Sequence, residues 1–165
     1  MKYLHLLALA TLGSLLVSCA STKRPTLTRG EDLFNGKDLS NWQAVSAKPG
    51  ISKEDVWSVR DGLIICKGDP IGFIQTDTRY TNYKLMVEWR WAPGKAPGNS
   101  GIFLRINGEP RPLPRCMECQ LKSGDAGDVY AFHGMKIDGD PARRKEVKNH
   151  ELGGDFVGFK KIAGK

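Results

Sequence analysis

From Trp42 onward, apolar residues recur at every second position in short runs that Gly, Pro, Asn and Asp cut off. A period of two gives a strand one apolar and one polar side, and it does not fit the 3.6-residue stripe of a helix. Trp57-Ser58-Val59 leads through Arg60-Asp61-Gly62 into Leu63-Ile64-Ile65-Cys66, and Asp-Gly between two such runs predicts a tight hairpin. Gly72 to Thr76 reads as a short strand. Asn82 to Trp91 has the most regular pattern, with Tyr83, Leu85, Val87, Trp89 and Trp91 on one face and Lys84, Met86, Glu88 and Arg90 on the other. Pro93 to Ser100 is too rich in Gly and Pro to be strand. Gly101 to Ile106 sets Ile102, Leu104 and Ile106 against Phe103 and Arg105, and further on Met117, Cys119 and Leu121 oppose Cys116, Glu118 and Gln120. Asp128 to Phe132 offers a last short strand, after which Gly134 to Lys165 shows weak order. Short strands without covering helices predict an all-β, antiparallel two-sheet sandwich.

If Tyr83, Ile102 and Met117 belong to strands of one sheet whose apolar sides form the core, the opposite face carries Glu88, Arg90, Phe103, Arg105, Cys116, Glu118 and Gln120. Such a face suits a sugar: carboxylates accept or exchange hydroxyl protons, and guanidinium forks fix oxygen-rich ligands. A solvated outer face with cross-strand Glu–Arg pairs, each worth less than about 1 kcal/mol, has the same pattern. Alternation alone leaves both readings open.

The first 18 residues have a single Lys near the start, an apolar run from Tyr3 to Val17, and Leu16-Val17-Ser18 before Cys19. That order is the order of a secretory signal, too short to span a bilayer with ease. Leu-Val-Ser-Cys resembles the bacterial lipobox, which implies removal of residues 1–18 and lipid on Cys19. Multiple acyl chains give a stable anchor. Residues 19–29 then form a Ser/Thr/Lys-rich tether, and residues 30–165 one domain. The expected location is the bacterial cell envelope, lipid-anchored to a membrane on the periplasmic side or the outer surface.

The net charge is +7, with a cluster at Arg143-Arg144-Lys145 and Lys148 that has no interleaved aromatic, so no nucleic-acid partner is expected. Beyond Cys19 the thiols are Cys66, Cys116 and Cys119. Cys116-Met117-Glu118-Cys119 has half the spacing of a zinc site, but no second pair follows, and His133 and His150 lack ligand-pair spacing. On a strand the two thiols point apart. No metal or other cofactor is therefore expected, with a divalent cation such as calcium on Glu88 or Glu118 left open.

Four segments occur in a specific order: Leu33-Phe34-Asn35-Gly36-Lys37-Asp38-Leu39-Ser40-Asn41-Trp42; Trp57 with Asp61-Gly62; Tyr83-Lys84-Leu85 with Glu88-Trp89-Arg90; and Asn99-Ser100-Gly101-Ile102-Phe103-Leu104-Arg105. Together with Met117-Glu118-Cys119-Gln120, they resemble the 3-keto-disaccharide hydrolase family over about residues 30–159. The resemblance implies a concanavalin-like jelly roll of two sheets and a hydrolase or lyase-type glycosidase acting on sugars oxidised at C3 or on related carbohydrates, which the lipobox-like segment would anchor at the envelope. It implies Glu118 as acid/base residue, Glu88 as a second candidate and His133 as a proton carrier. Arg90, Asn99, Arg105 and Gln120 are implied to bind substrate or polarise its carbonyl. Members of that family continue into further strands that do not follow Lys165 here, so the domain is expected to be truncated at its C-terminus. The alternative is a non-catalytic carbohydrate-binding lipoprotein module, for which the aromatic content around Trp89 and Trp91 speaks, since aromatic rings stack on sugar faces.

The lipid anchor generates the first prediction. Cys19→Ala leaves an unprocessed precursor without acyl chains, detected by mass spectrometry of the membrane fraction, whereas wild-type protein cleaved normally but carrying no lipid contradicts the reading.

Overall fold

A computed structural model describes residues 30–148 and 155–162. The expected signal, the tether with Cys19, and His150 lie outside them. Nine strands carry the fold, with one turn of α-helix and one 3₁₀ turn among the described residues. Strands β1 (Trp42–Ser46) and β4 (Gly72–Thr76) form one antiparallel pair, and β2 (Trp57–Arg60) and β3 (Leu63–Cys66) another. A five-stranded sheet follows: β5 (Gly101–Asn107), β6 (Arg115–Gln120), β7 (Val129–Phe132), β9 (Phe156–Phe159) and β8 (Arg144–Val147), in that spatial order. Every pairing is antiparallel. The chain is thus nearly all-β and compatible with a sandwich, as the alternation predicts. A compact unit begins at Leu33.

Local chemistry explains the first motif. The Asn35 side-chain oxygen accepts from the backbone N–H groups of Lys37 and Asp38, its amide donates to Asp38, and the same Asp38 oxygen accepts from the Ser40 N–H. Hydrogen bonds from Ser40 and Asn35 hold the Asp38 carboxyl down to about 2. These are turn-building bonds, which Asn and Asp make readily. The turn feeds Leu39 and β1 into a core of Leu39, Val56 and Trp57, against which Phe34, Trp42, Ile51, Val59, Ile64 and Ile74 pack. Helix α1 (Lys53–Val56) delivers Val56 to that core, and the hairpin after it closes through Asp61 and Gly62, both at positive φ. Two left-handed residues are the requirement of a two-residue turn that follows the strand twist.

The second core lies on one face of the five-stranded sheet. Cys116, Tyr130, Phe132 and Phe156 are buried there with Leu113, and Phe103, Ile106 and Val147 pack against them. This overturns the expected sidedness. Along β6 it is Cys116, Glu118 and Gln120 that are buried, while Met117 and Cys119 are half-buried. Alternation fixes which residues share a face; it does not say which face is covered, and the aromatic rings of β7 and β9 decide that here. Ile102 and Leu104, expected in the core, are half-buried on the other side.

Two further expectations change. Residues 83–91 form no strand and join none of the described sheets, and Leu85, Val87 and Trp89 are exposed rather than buried. Their pattern survives in degree, since Met86 is 84 % exposed and Trp89, on the opposite parity, 42 %. An apolar parity becomes a buried face only where another layer meets it. The weakly patterned stretch after Gly134, in turn, supplies β8 and β9. Its signal was diluted because β8, Arg-Lys-Glu-Val, is a charged edge strand.

Truncation of a buried ring should be costly where this sheet places it. Phe132→Ala loses about 3–5 kcal/mol in urea denaturation, and Met86→Ala stays within about 0.5 kcal/mol. Equal losses would contradict the placement of the core.

Candidate functional site

Glu118 sits in the middle of the covered face. Its cross-strand neighbours are Phe103 on β5 and Tyr130 on β7. The carboxylate leans over Gly101, where a Cβ would run into it, so the absence of a side chain at Gly101 is what admits the carboxyl. Only 9 % of the residue is exposed, and no hydrogen bond or ion pair to it forms among the described residues. Burial alone pushes its pKa up to about 7. Trp42 Nε1 is the one fully buried side-chain polar atom without a partner among the described residues, so the carboxylate oxygens keep an edge open to water.

Gln120 stands next on the same face, 8 % exposed. Its side-chain oxygen accepts from the Leu121 and Lys122 backbone N–H groups at 2.9 and 2.8 Å, which leaves the amide NH₂ as the group able to donate to a ligand. Opposite it, Asp128 continues the ladder, with the Gln120 N–H donating to the Asp128 carbonyl at 2.9 Å. The loop before β5 stays tied to this end of the sheet, because Leu121 N–H donates to the Ser100 carbonyl and Ser123 N–H to the Gly98 carbonyl. Asn99 lies between those two bonds, exposed. Glu118, Gln120 and Asn99 therefore gather at one end of β5 and β6.

The other expected residues do not join them. Between Leu104 and Asn107 the register shifts, so Arg105 and Ile106 together oppose Cys116. This bulge turns Ile106 into the aromatic core and leaves Arg105 exposed at positive φ, which breaks the expected sharing of a face between Arg105 and Glu118. Arg105 lies toward the far end of the sheet. His133 follows β7 at that end too, about three strand residues or ~10 Å from the level of Glu118. Its Nε2–H donates to the Leu113 carbonyl at 2.9 Å, and desolvation lowers its pKa. Glu88 and Arg90 are exposed in the segment outside the strands, and no neighbouring charge contributes to the Glu118 shift.

Three residues at the site had not been singled out from the sequence. Tyr130 is buried, its hydroxyl donating to Asp128 Oδ2 at 3.0 Å, while Asp128 Oδ1 accepts from the Lys161 backbone N–H at 2.8 Å. Lys145 Nζ lies 5.6 Å from the centre of the Tyr130 ring, a cation–π distance. The ring passes over Gly158, where a side chain would collide with it. A polar residue two places from a core aromatic on the same strand parity, as in Asp128-Val129-Tyr130, is the signal available in the sequence. Phe103, half-buried beside Glu118, meets Phe73 edge-on at 5.5 Å.

Cys116 is fully buried and its thiol is pushed up to about 12 by burial and by Glu118, so it stays protonated. Cys119 is half-buried and points to the other face, as strand parity requires, and Cys66 is exposed. Among the described residues no three His, Cys, Asp or Glu side chains come together as metal ligands. Two open recesses, of about 590 and 230 Å³, lie along Val157 and along Met117, Val129 and Phe159, on the face away from Glu118. They are shallow and lack its chemistry, so the carboxyl, not the larger hollow, marks the candidate site.

Residues 30–153 match the family described as the 3-keto-alpha-glucoside-1,2-lyase-like domain. No curated protein and no solved structure matches the chain.

The Glu118 environment sets a sign for stability. A carboxyl whose folded pKa lies above its unfolded value favours folding fully below about 4.5, and that contribution is lost as pH rises to about 7. The loss is on the order of 3 kcal/mol. Glu118→Gln carries no such charge, so the stability gap between variant and wild type should widen in the variant's favour from pH 4.5 to 7 in urea denaturation. A gap constant with pH would contradict the burial of an ionisable Glu118.

Proposed function

Because this chain belongs to the 3-keto-alpha-glucoside-1,2-lyase-like family, we propose that it cleaves glycosidic bonds in sugars already oxidised at C3, with Glu118 as the acid/base residue. The observation that supports this most is a solvent-reached carboxyl without a partner, whose pKa of about 7 suits it both to take and to return a proton near neutrality. A C3 ketone acidifies the proton at C2. The Glu118 carboxylate accepts that proton, the C2–H electron pair becomes the C1–C2 double bond, and the C1–O bond breaks toward the leaving oxygen. That oxygen needs a proton, which the now protonated Glu118 can return. Water added across the double bond completes a net hydrolysis.

Other groups have narrower parts. The free Gln120 amide donates to the ketone oxygen, where negative charge develops. Asn99, exposed at the same end, binds a substrate hydroxyl. Phe103 offers its face to the sugar ring beside Glu118. Arg105 and Arg90 would act on more distant parts of a substrate, and the proton-carrier role for His133 is not retained, since its Nε2 and its position serve the Leu113 loop. The proposed setting is the cell envelope, with the lipid on Cys19 as membrane anchor.

A second reading, a carbohydrate-binding module without turnover, gains from one finding. Trp89 is exposed, and its ring meets that of Trp91 edge-on at 5.6 Å, so an aromatic surface is accessible where alternation had put it in the core.

Turnover of a 3-keto-glucoside should fall about 10²–10⁴-fold in Glu118→Gln, with KM nearly unchanged because the amide keeps the shape. An ordinary glucoside should react far more slowly. Equal rates on both sugars would indicate hydrolysis through a carboxylate pair instead, and binding of both without turnover would favour the module.

A further inference from the structure

Phe103, the cross-strand neighbour of Glu118, is met edge-on by Phe73 of β4, with ring centres 5.5 Å apart. Parity fixes which other residues of β4 look the same way. A Cβ on Gly72 would lie 3.2 Å from the Trp57 ring, and Ile74 packs on the core of Leu39, Val56 and Trp57, so one side of β4 is spent on that core. The opposite side carries Phe73 and Gln75, with Val45 and Gln43 paired to them on β1. Phe103 also packs against the core of Cys116, Tyr130 and Phe132, so it belongs to the Glu118 face. The Phe73–Phe103 contact therefore brings the Gln75 side of β4 to the face that holds Glu118.

Gln75 is half-buried, its side chain makes no hydrogen bond among the described residues, and its amide is not sealed from water. Such an amide offers two donors and an acceptor oxygen, which suits sugar hydroxyls. The order of atoms in the substrate says which part reaches it. C1, C2 and C3 are consecutive in the ring, so with C2 at Glu118 and the C3 ketone at Gln120, C1 and its leaving oxygen point away from Gln120. Along β6 that direction ends at Cys116, which is fully buried. Across β5 it passes Phe103 and meets Phe73, and Gln75 stands two residues, about 7 Å, along β4 from Phe73. We propose that Gln75 binds the leaving group when that group is a second sugar: its ring lies over Phe103 and Phe73, and its hydroxyls bond the Gln75 amide. The chain thereby favours 3-keto-disaccharides over 3-keto-glycosides with small leaving groups. The assignment rests on the acid/base reading of Glu118 given above.

The test compares the 3-keto form of a glucose disaccharide with methyl 3-keto-glucoside, both given to the full chain. Gln75→Leu keeps the bulk of the side chain and removes its amide. In this variant kcat/KM for the disaccharide should fall about five- to tenfold, mainly through KM, as expected for one or two lost hydrogen bonds. For the methyl glucoside it should stay within about twofold of wild type, because methanol has nothing to offer Gln75. A loss shared by both sugars, or no loss on the disaccharide, overturns the proposal while the acid/base reading stands. Should Gln75→Leu fail to fold, Gln75→Thr is at home in a strand and too short to reach, and it should give the same split. If the wild-type chain turns over neither sugar, the acid/base reading fails, and calorimetric binding of the same two sugars decides the role of Gln75. The disaccharide should then bind the wild-type chain more tightly than the methyl glucoside, and Gln75→Leu should erase that difference. A difference that survives in the variant, or wild-type protein that binds both sugars equally or not at all, overturns it.

Discussion

Glu118 can occupy the covered face of the five-stranded sheet because Gly101 has no side chain in its way, and much else in the arrangement follows from that close approach. A carboxyl largely withdrawn from water, without a partner, keeps its proton to higher pH, since desolvation penalises only the charged form. The cost falls on stability, because ionisation of a buried group is paid for by the fold. A small sheet carries such a cost when its apolar contacts are dense, and on this face Tyr130, Phe132 and Phe156 meet ring to ring at 4.9–6.5 Å. These rings, on β7 and β9, pack with Cys116 of β6 and so tie the three strands together on the face that also carries Glu118.

Around that carboxyl the polar groups divide by what they have already spent. Asp128 and Tyr130 are committed to each other and to the Lys161 backbone, and the Gln120 oxygen is committed to the turn after β6. Glu118 and the Gln120 amide are not committed. Catalytic groups must be free in the absence of substrate and held in place by groups that are not, and this face has both kinds within two residues along two neighbouring strands. The proposed elimination chemistry asks for little more: one base near neutrality and one donor toward a ketone.

Much of this was legible in the alternation and some of it was not. The hairpin through Asp61-Gly62, the strand Gly72–Thr76 and the grouping of Glu118 with Gln120 follow from period two and turn chemistry, and they stand. The family also follows from the ordered motifs. The covered side of β6 was misjudged because parity carries no sign, and long-range partners on β7 and β9 set it. Arg105 was misplaced by a one-residue bulge, which reverses parity midway along β5 and leaves no mark in composition. Residues 83–91 have the cleanest pattern in the chain, yet a pattern supplies only one half of an interface. Asp128 was missed for a related reason: its partners, Tyr130 and Lys161, are brought to it by β7 and by the segment after β9, and the Lys161 contact spans 33 residues.

The most direct measurement of the central claim is the fate of the C2 hydrogen. A 3-keto-glucoside is turned over in heavy water, and the released sugar is analysed by mass spectrometry and NMR against protein-free and Glu118→Gln controls. Abstraction by Glu118 predicts deuterium at C2 of the product at a rate that matches bond cleavage and disappears in the variant. Cleavage by the wild-type chain with the original hydrogen still at C2 would contradict it.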